Sequence, residues 1–253
     1  VSFNINATAT EICEGASVTY SVNPATINNG GTSPIYQWYV STDGGANYTA
    51  ISGATSASYI RSTIADGDII ALEVTSNVQC ADPAFNSNTI QMTVNTPPIV
   101  TANASDLVIC SGESVTLTGS GATSYTWDNG VTNGVAFSPA ATQTYTVTGT
   151  DGNGCTDTDT ITITVNPLPT AVLTANGPTT FCQNGSVLLT ATTGVGYTYL
   201  WYKNGVVIPS QTSSSFTATT TGLYTVSVIT SNACSKLSNS IQVTVNPLPI
   251  ASV

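Results

Sequence analysis

The chain has 253 residues, 41% of them hydrophobic and only 6% charged. Three basic residues (Arg61, Lys203 and Lys236) stand against 13 acids for a net charge of -10, so no basic stripe exists to hold a phosphate backbone, and nucleic acid is excluded as a partner. Histidine is absent, which removes the commonest metal ligand and every Ser–His or Cys–His nucleophile. Carboxylate catalysis survives that exclusion, but the acids fall seven in 1–96, six in 97–168 and none in 169–253. No carboxylate site can therefore be common to all three stretches. A glycosidase pair in the first stretch, around Asp66 or Glu73, is the one enzyme reading left, and it is set below a non-catalytic one. The sequence holds no run of eighteen apolar residues and no basic-then-apolar leader, so neither membrane insertion nor a signal peptide is expected in it.

In chain order the first stretch gives SVTYSV (17–22), YQWYV around Trp38, IIALEV (69–74) and TIQMTV (89–94), ending in TVNTPP (93–98). The second gives SVTLTGS (114–120), SYTWDN around Trp127, TYTVTGT (144–150) and TITITV (160–165), ending in TVNPLP (164–169). The third gives SVLLTAT (186–192), YLWYKNG around Trp201, LYTVSVI (223–229) and SIQVTV (240–245), ending again in TVNPLP (244–249). Period-two alternation bounded by Gly, Asn, Asp and Pro predicts half-buried antiparallel strands and no helix. Cys13, Cys110 and Cys182 each precede a Ser-Val strand, and Cys80, Cys155 and Cys234 each close a later turn. Two cysteines and one tryptophan per stretch make this a repeat. Prolines after the last strand stop the ladder and extend the chain as a short stiff spacer. The expected domains are 1–96, 97–168 and 169–249, with 250–253 opening a further repeat or a tail; the ending NPLPIASV suggests an excerpt from something longer.

A Gly-x-Ser-Val-x-Leu strand, a Trp strand and a Tyr-x-Val strand resemble an immunoglobulin-type sandwich with its central tryptophan. More narrowly, ICSGESVTLTGSG, YTW and TYTVTGTDGNGCTDTDTITITVNPLP resemble the Ig-like and PKD-like repeats of Bacteroidota cell-surface proteins. Those occur in tandem in extracellular adhesins and multidomain secreted proteins, many exported by the type IX system. The resemblance implies an all-β chain of three tandem immunoglobulin-like antiparallel β-sandwiches, with Trp38, Trp127 and Trp201 in the cores. Antibody-type core cysteines would fall near Gly119 and Val147. Here Cys110 and Cys155 lie outside those strands, so a bond ties sandwich ends.

Without histidine or a CxxC pair the cysteines read as disulfides and as a sign of an extracellular compartment. The simple choice pairs them within repeats as Cys13–Cys80, Cys110–Cys155 and Cys182–Cys234, which requires an even number of strand traversals between partners. A five-traversal topology would place the two cysteines of a repeat at opposite ends, giving instead Cys13–Cys155 and Cys110–Cys234. Asp66, Asp68, Asp151, Asp157 and Asp159 on acidic turns are weak Ca2+ candidates, against the plain reading as hairpin turns. No cofactor is otherwise expected. Alternation puts Tyr36 and Tyr199 inward with their tryptophans and leaves Tyr39 and Tyr202 outward. With Tyr48 these are the candidates for stacking on a sugar ring, so a surface polysaccharide is a candidate partner beside neighbouring Ig-like modules of the same or an identical chain. Asp159-Thr160-Ile161 is similar to a Bacteroidota O-glycan site, which makes Thr160 a candidate.

The expected function is a non-catalytic structural or adhesive stalk segment of a large bacterial surface protein. The alternatives are a head-to-tail filament subunit, with a third repeat that carries Lys203 and Lys236 and no acid meeting acidic neighbours, and carbohydrate-binding accessory modules of a secreted enzyme.

Overall fold

The computed structural model describes residues 3–27, 33–76 and 85–249. The architecture is all-β: the helical content among the described residues is a single 3-10 turn at Pro24–Thr26. The chain divides into two compact units, one of 1–102, 119–128 and 146–160, the other of 103–118, 129–145 and 161–253. The stretch 97–168 thus contributes to both.

In the first unit, strands Ile5–Ala7, Val18–Val22 and Ser58–Arg61 form one antiparallel sheet. A second sheet is built on Ile35–Ser41 and Ile69–Thr75, which pair with Trp38 opposite Leu72. Burial alternates along Val18–Val22 and Ile69–Thr75 as the sequence period requires. The buried faces close on Val18, Tyr20, Val22, Trp38, Ile70, Leu72, Val74 and Met92. Strand Ser124–Trp127 pairs antiparallel further along this unit, with buried Trp127 opposite Val147. At Gly121 the backbone turns with φ +95°, and a Cβ would stand 1.8 Å from the Ile99 carbonyl oxygen, so glycine is required.

Within this core the Tyr20 ring stacks on Tyr59 at 6.5 Å between centroids and tilts against Trp38 at 6.1 Å. Its hydroxyl is buried with no partner among the described residues, and burial pushes the phenol up to about 12. An unsatisfied buried hydroxyl costs about 1–3 kcal/mol. Tyr20→Phe is therefore expected to hold or raise stability by about 1 kcal/mol in urea denaturation; a loss of that size would show that the hydroxyl is bonded.

In the second unit, Leu173–Ala175, Val187–Ala191 and Ser215–Ala218 form one sheet. Thr180–Cys182, Ile241–Asn246, Gly222–Ile229, Thr198–Lys203 and Val206–Val207 form the other, with Ser235–Leu237 added beside Gly222–Ile229. Trp201, Tyr224, Val226, Val228, Leu189 and Val243 fill the space between them. Trp38 and Trp201 are both fully buried and hold their indole N–H on a carbonyl, Ser56 at 2.8 Å and Ser213 at 2.9 Å.

In each repeat the short cysteine strand leaves the first sheet and runs parallel to the last strand. Cys13 lies opposite Asn95, Cys110 opposite Asn166 and Cys182 opposite Asn246. Each first cysteine is thereby fixed at the end from which the Pro spacer departs.

That register corrects the pairing within repeats. The bonds formed are Cys13–Cys155, with 5.5 Å between Cα atoms, and Cys110–Cys234, with 5.6 Å. Cys110–Cys155 and Cys182–Cys234 do not form, and Cys13 is not joined to Cys80, which lies outside the described residues. The third repeat shows why. Ile241–Asn246 pairs with the start of Gly222–Ile229, so Asn246 and Cys182 lie beyond the Gly222 end, whereas Cys234 follows the turn after Ile229. Eight strand residues span about 25 Å, and a disulfide needs its Cα atoms within about 7 Å. Cys155 and Cys110 are placed likewise, one before Thr156–Asn166 and the other opposite its last residue.

Candidate functional site

Each disulfide is seated on the spacer asparagine. Cys155 Sγ lies 3.9 Å from the Asn95 carbonyl oxygen, and Cys234 Sγ lies 3.9 Å from that of Asn166. The same carbonyls accept the amide following the first cysteine, Glu14 to Asn95 and Ser111 to Asn166, each at 2.9 Å. Asn232, two residues before Cys234, donates its side-chain amide to Asn166 Oδ1 at 3.0 Å. At the third position the receiving half is present: Gln183 N–H donates to the Asn246 carbonyl at 2.8 Å, and Cys182 is exposed with a free thiol. The recurring TVN triplet was the signal for these asparagines, although it reads first as a spacer.

A second feature is a groove on the outer face of the first tryptophan sheet. Tyr39, Tyr48, Ala71, Leu72, Glu73, Ser87 and Thr89 line an open space of about 370 Å3. Tyr39 pairs opposite Ala71, so Glu73, two residues on, reaches it diagonally on the same face. Burial, followed by the charge and hydrogen bond of Glu73, pushes the Tyr39 phenol up. Tyr48 is 40% exposed and completes the wall. The structure thus brings Tyr39 and Tyr48 together. Tyr202 lies at the corresponding place in the third repeat, opposite Thr225, in a groove of about 380 Å3 lined also by Gly205, Ser227, Ser235 and Leu237. There Ser227 stands where Glu73 stands in the first, and among the described residues no second aromatic lines it. In the middle repeat the position after the tryptophan is Asp128, whose Oδ1 accepts the Thr146 amide at 3.0 Å.

The loop leading to Tyr48 is tied by Asp43, which accepts from the Ser41 hydroxyl at 2.7 Å, the Asn47 amide at 2.9 Å and the Asn47 side chain at 2.8 Å. The Asn47 backbone bond is the largest cause that lowers the Asp43 pKa from 3.8 to about 2. A depressed carboxylate contributes stability above its unfolded value and loses it as pH falls through the folded one. The loop is expected to stay intact down to about pH 4 and to loosen between there and pH 2. Following the Asp43 carboxyl and Asn47 amide by NMR checks this; a midpoint near 3.8 would refute it.

The acidic turns serve the backbone. Asp66 Oδ1 accepts the Val94 amide at 2.9 Å, the role Thr221 plays for Val245 and Thr142 for Val165. Asp68 is buried and paired with Arg61 at 2.9 Å. Asp151 caps its own turn, accepting from Asn153 at 2.9 Å and Cys155 at 2.8 Å. Asp159 accepts from Ala102 and Thr160, both at 2.8 Å, and these bonds hold its carboxyl below the usual range. Asp157 is exposed on its strand, as is Thr160 on the same strand. Among the described residues no three of the acids and cysteines gather as ligands for an ion.

A clasp not anticipated from the sequence recurs at the start of the last strand. Ser87 exchanges bonds with Leu72, and Asn88 with Ile5; Ser238 does so with Val226, and Asn239 with Leu173. Asp159 occupies the asparagine's place in the middle repeat. The shared Ser-Asn-x-Ile-Gln-x-Thr-Val-Asn phrase at 87–95 and 238–246 could have revealed it.

With this geometry in hand, the chain can be set beside known proteins. Residues 169–247 match the model of an Ig-like domain described as CHU_C associated. The third repeat is similar to an Ig-like domain. Residues 8–96 match a domain of unknown function, DUF8696. No curated protein matches the chain. Among solved structures it is similar to extracellular domains 3–5 of Drosophila OTK, at 15% identity over 93% of each chain with a TM-score of 0.37. It is also similar to a structure from a 1.5-MDa bacterial ice-binding adhesin, at 16% identity over 98% of this chain and 99% of that one, with a TM-score of 0.33. A D1–D4 ectodomain fragment of ICAM-5 matches at 12% identity over 96% of this chain and 76% of that one, with a TM-score of 0.39.

Proposed function

We propose that the chain is a non-catalytic segment of an extracellular stalk in which successive Ig-like repeats are locked to one another by staggered disulfides. The observation that carries this reading is the pairing of Cys13 with Cys155 and of Cys110 with Cys234. Each bond runs from the first cysteine of one repeat to the second cysteine of the next, so a pull on the chain is shared between the Pro spacer and a covalent bypass. Persistent disulfides belong to oxidising compartments, and three Lys and Arg residues in 253 leave few trypsin sites, as suits an exposed protein. Peptic digestion without reduction, followed by mass spectrometry, tests the reading. Peptides joining Cys13 to Cys155 and Cys110 to Cys234 are expected; Cys110–Cys155 or Cys182–Cys234 peptides would overturn it.

A second reading, head-to-tail assembly, is favoured by one observation. Cys182 presents a free thiol beside an asparagine that repeats the setting of both closed junctions. It is suited to receive the second cysteine of a further repeat, in the same polypeptide or in a second copy. Oxidation of the purified chain distinguishes the two sources. Disulfide-linked oligomers that vanish in Cys182→Ser favour a second copy, and a chain that remains monomeric favours a following repeat.

A further inference from the structure

We propose that the Tyr39–Tyr48–Glu73 groove of the first repeat binds a pyranose ring of a neutral polysaccharide, an activity that goes beyond the stalk reading. Its volume of about 370 Å3 falls within the range of about 300–1,000 Å3 usual for small-molecule sites. Aromatic faces carry negative quadrupole density, which attracts the C–H-rich faces of a sugar ring, and two tyrosines border this groove. The Glu73 carboxylate accepts hydrogen bonds only, and a pyranose offers several hydroxyl donors.

The walls are set before a ligand arrives, which lowers the ordering cost of binding. Tyr39 stands opposite Ala71, with Glu73 diagonal to it on the same face of the strand pair. The loop before Tyr48 is fixed by Asp43, and the Tyr48 hydroxyl packs against Gly45, 3.5 Å from where a Cβ would stand. The Ser87 hydroxyl is already committed to Leu72 and Asn88, so the polar reading falls to Glu73 and exposed Thr89.

Charge sets the selectivity. The one cation in 1–168 is Arg61, and it is paired with Asp68. Glu73 therefore faces the ligand uncompensated, and uronic or sialic acids are repelled. The third repeat is an internal control: Tyr202 borders a groove of similar size that, among the described residues, has neither a carboxylate nor a second aromatic ring.

The test is an NMR titration of the full oxidised chain with cellohexaose, mannohexaose, chitohexaose and polygalacturonate. At least one neutral oligosaccharide is expected to shift the Tyr39 and Tyr48 ring resonances saturably. Tyr48→Ala and Glu73→Ala should each weaken that binding at least tenfold, while Tyr202→Ala leaves it unchanged. Tyr48 is exposed enough for its variant to fold, and unchanged resonances elsewhere establish that it has. Three outcomes would overturn the proposal: no neutral sugar shifts these rings, both variants bind as the parent does, or only polygalacturonate binds. Disulfide mapping is independent of all three, so the stalk reading stands or falls separately.

Discussion

Breaking the Cys110–Cys234 bond, by Cys110→Ser together with Cys234→Ser, is expected to lower stability by about 5 kcal/mol. The bond closes a loop with a sequence separation of 124, and Cys13–Cys155 closes one of 142. In the chain-entropy model loops of this length contribute about 5 kcal/mol each. The two loops overlap between 110 and 155, so removing both costs less than twice one. For domains of 150–250 residues, 1 kcal/mol moves the melting temperature by about 2–4 °C, so the double serine variant should melt roughly 10–20 °C lower. Calorimetry of the variant, and of the parent with and without reductant, measures this. A shift under about 3 °C would mean that backbone contacts alone hold the repeats.

Asp68→Ala should cost about 3–5 kcal/mol for a different reason. The Asp68 side chain is 2% exposed and that of its partner Arg61 is 14% exposed. Asp68 Oδ2 also accepts the Ala65 amide at 3.1 Å. Removing the carboxylate leaves a guanidinium in the interior without its counter-charge, the situation in which breaking a buried pair is most destabilising. Replacing both partners, Arg61→Met with Asp68→Leu, removes that stranded charge and is expected to recover most of the loss. Urea denaturation of the two variants decides it. A double variant no more stable than Asp68→Ala would show that the bond to Ala65, and not the stranded charge, carries the cost. The third repeat builds its corner without a carboxylate: Tyr224 donates its hydroxyl to the Thr220 carbonyl at 2.9 Å, a tyrosine corner, and Lys203 Nζ donates to the Thr220 hydroxyl at 2.8 Å.

The strands and the tryptophans were legible because alternation is a local signal: SVTYSV and LYTVSVI read inward and outward as they fold. Tyr39 and Tyr202 lie outward for the same reason. Cysteine pairing was not legible, since it depends on how many times the chain crosses the sandwich between partners, a count that strand prediction leaves ambiguous by one. Both parities follow from the sequence, and the structure selects the odd one. Asp66, Asp151 and Asp159 looked like cation ligands because composition shows the carboxylate and hides the backbone amide that it accepts. Glu73 carried no signal as a groove residue, because its nearness to Tyr39 exists only across a strand pair.

The stagger also fixes an order of events. A chain emerging N-terminus first presents Cys13 long before Cys155, which follows 142 positions later. At about 5–20 residues per second that wait is on the order of ten seconds. The leading cysteine of a repeat can therefore reach its native partner only after the following repeat has emerged, so native pairing trails the growing chain by one repeat. Maturation travels as a zipper from the N-terminus, and each newly made repeat locks the one before it.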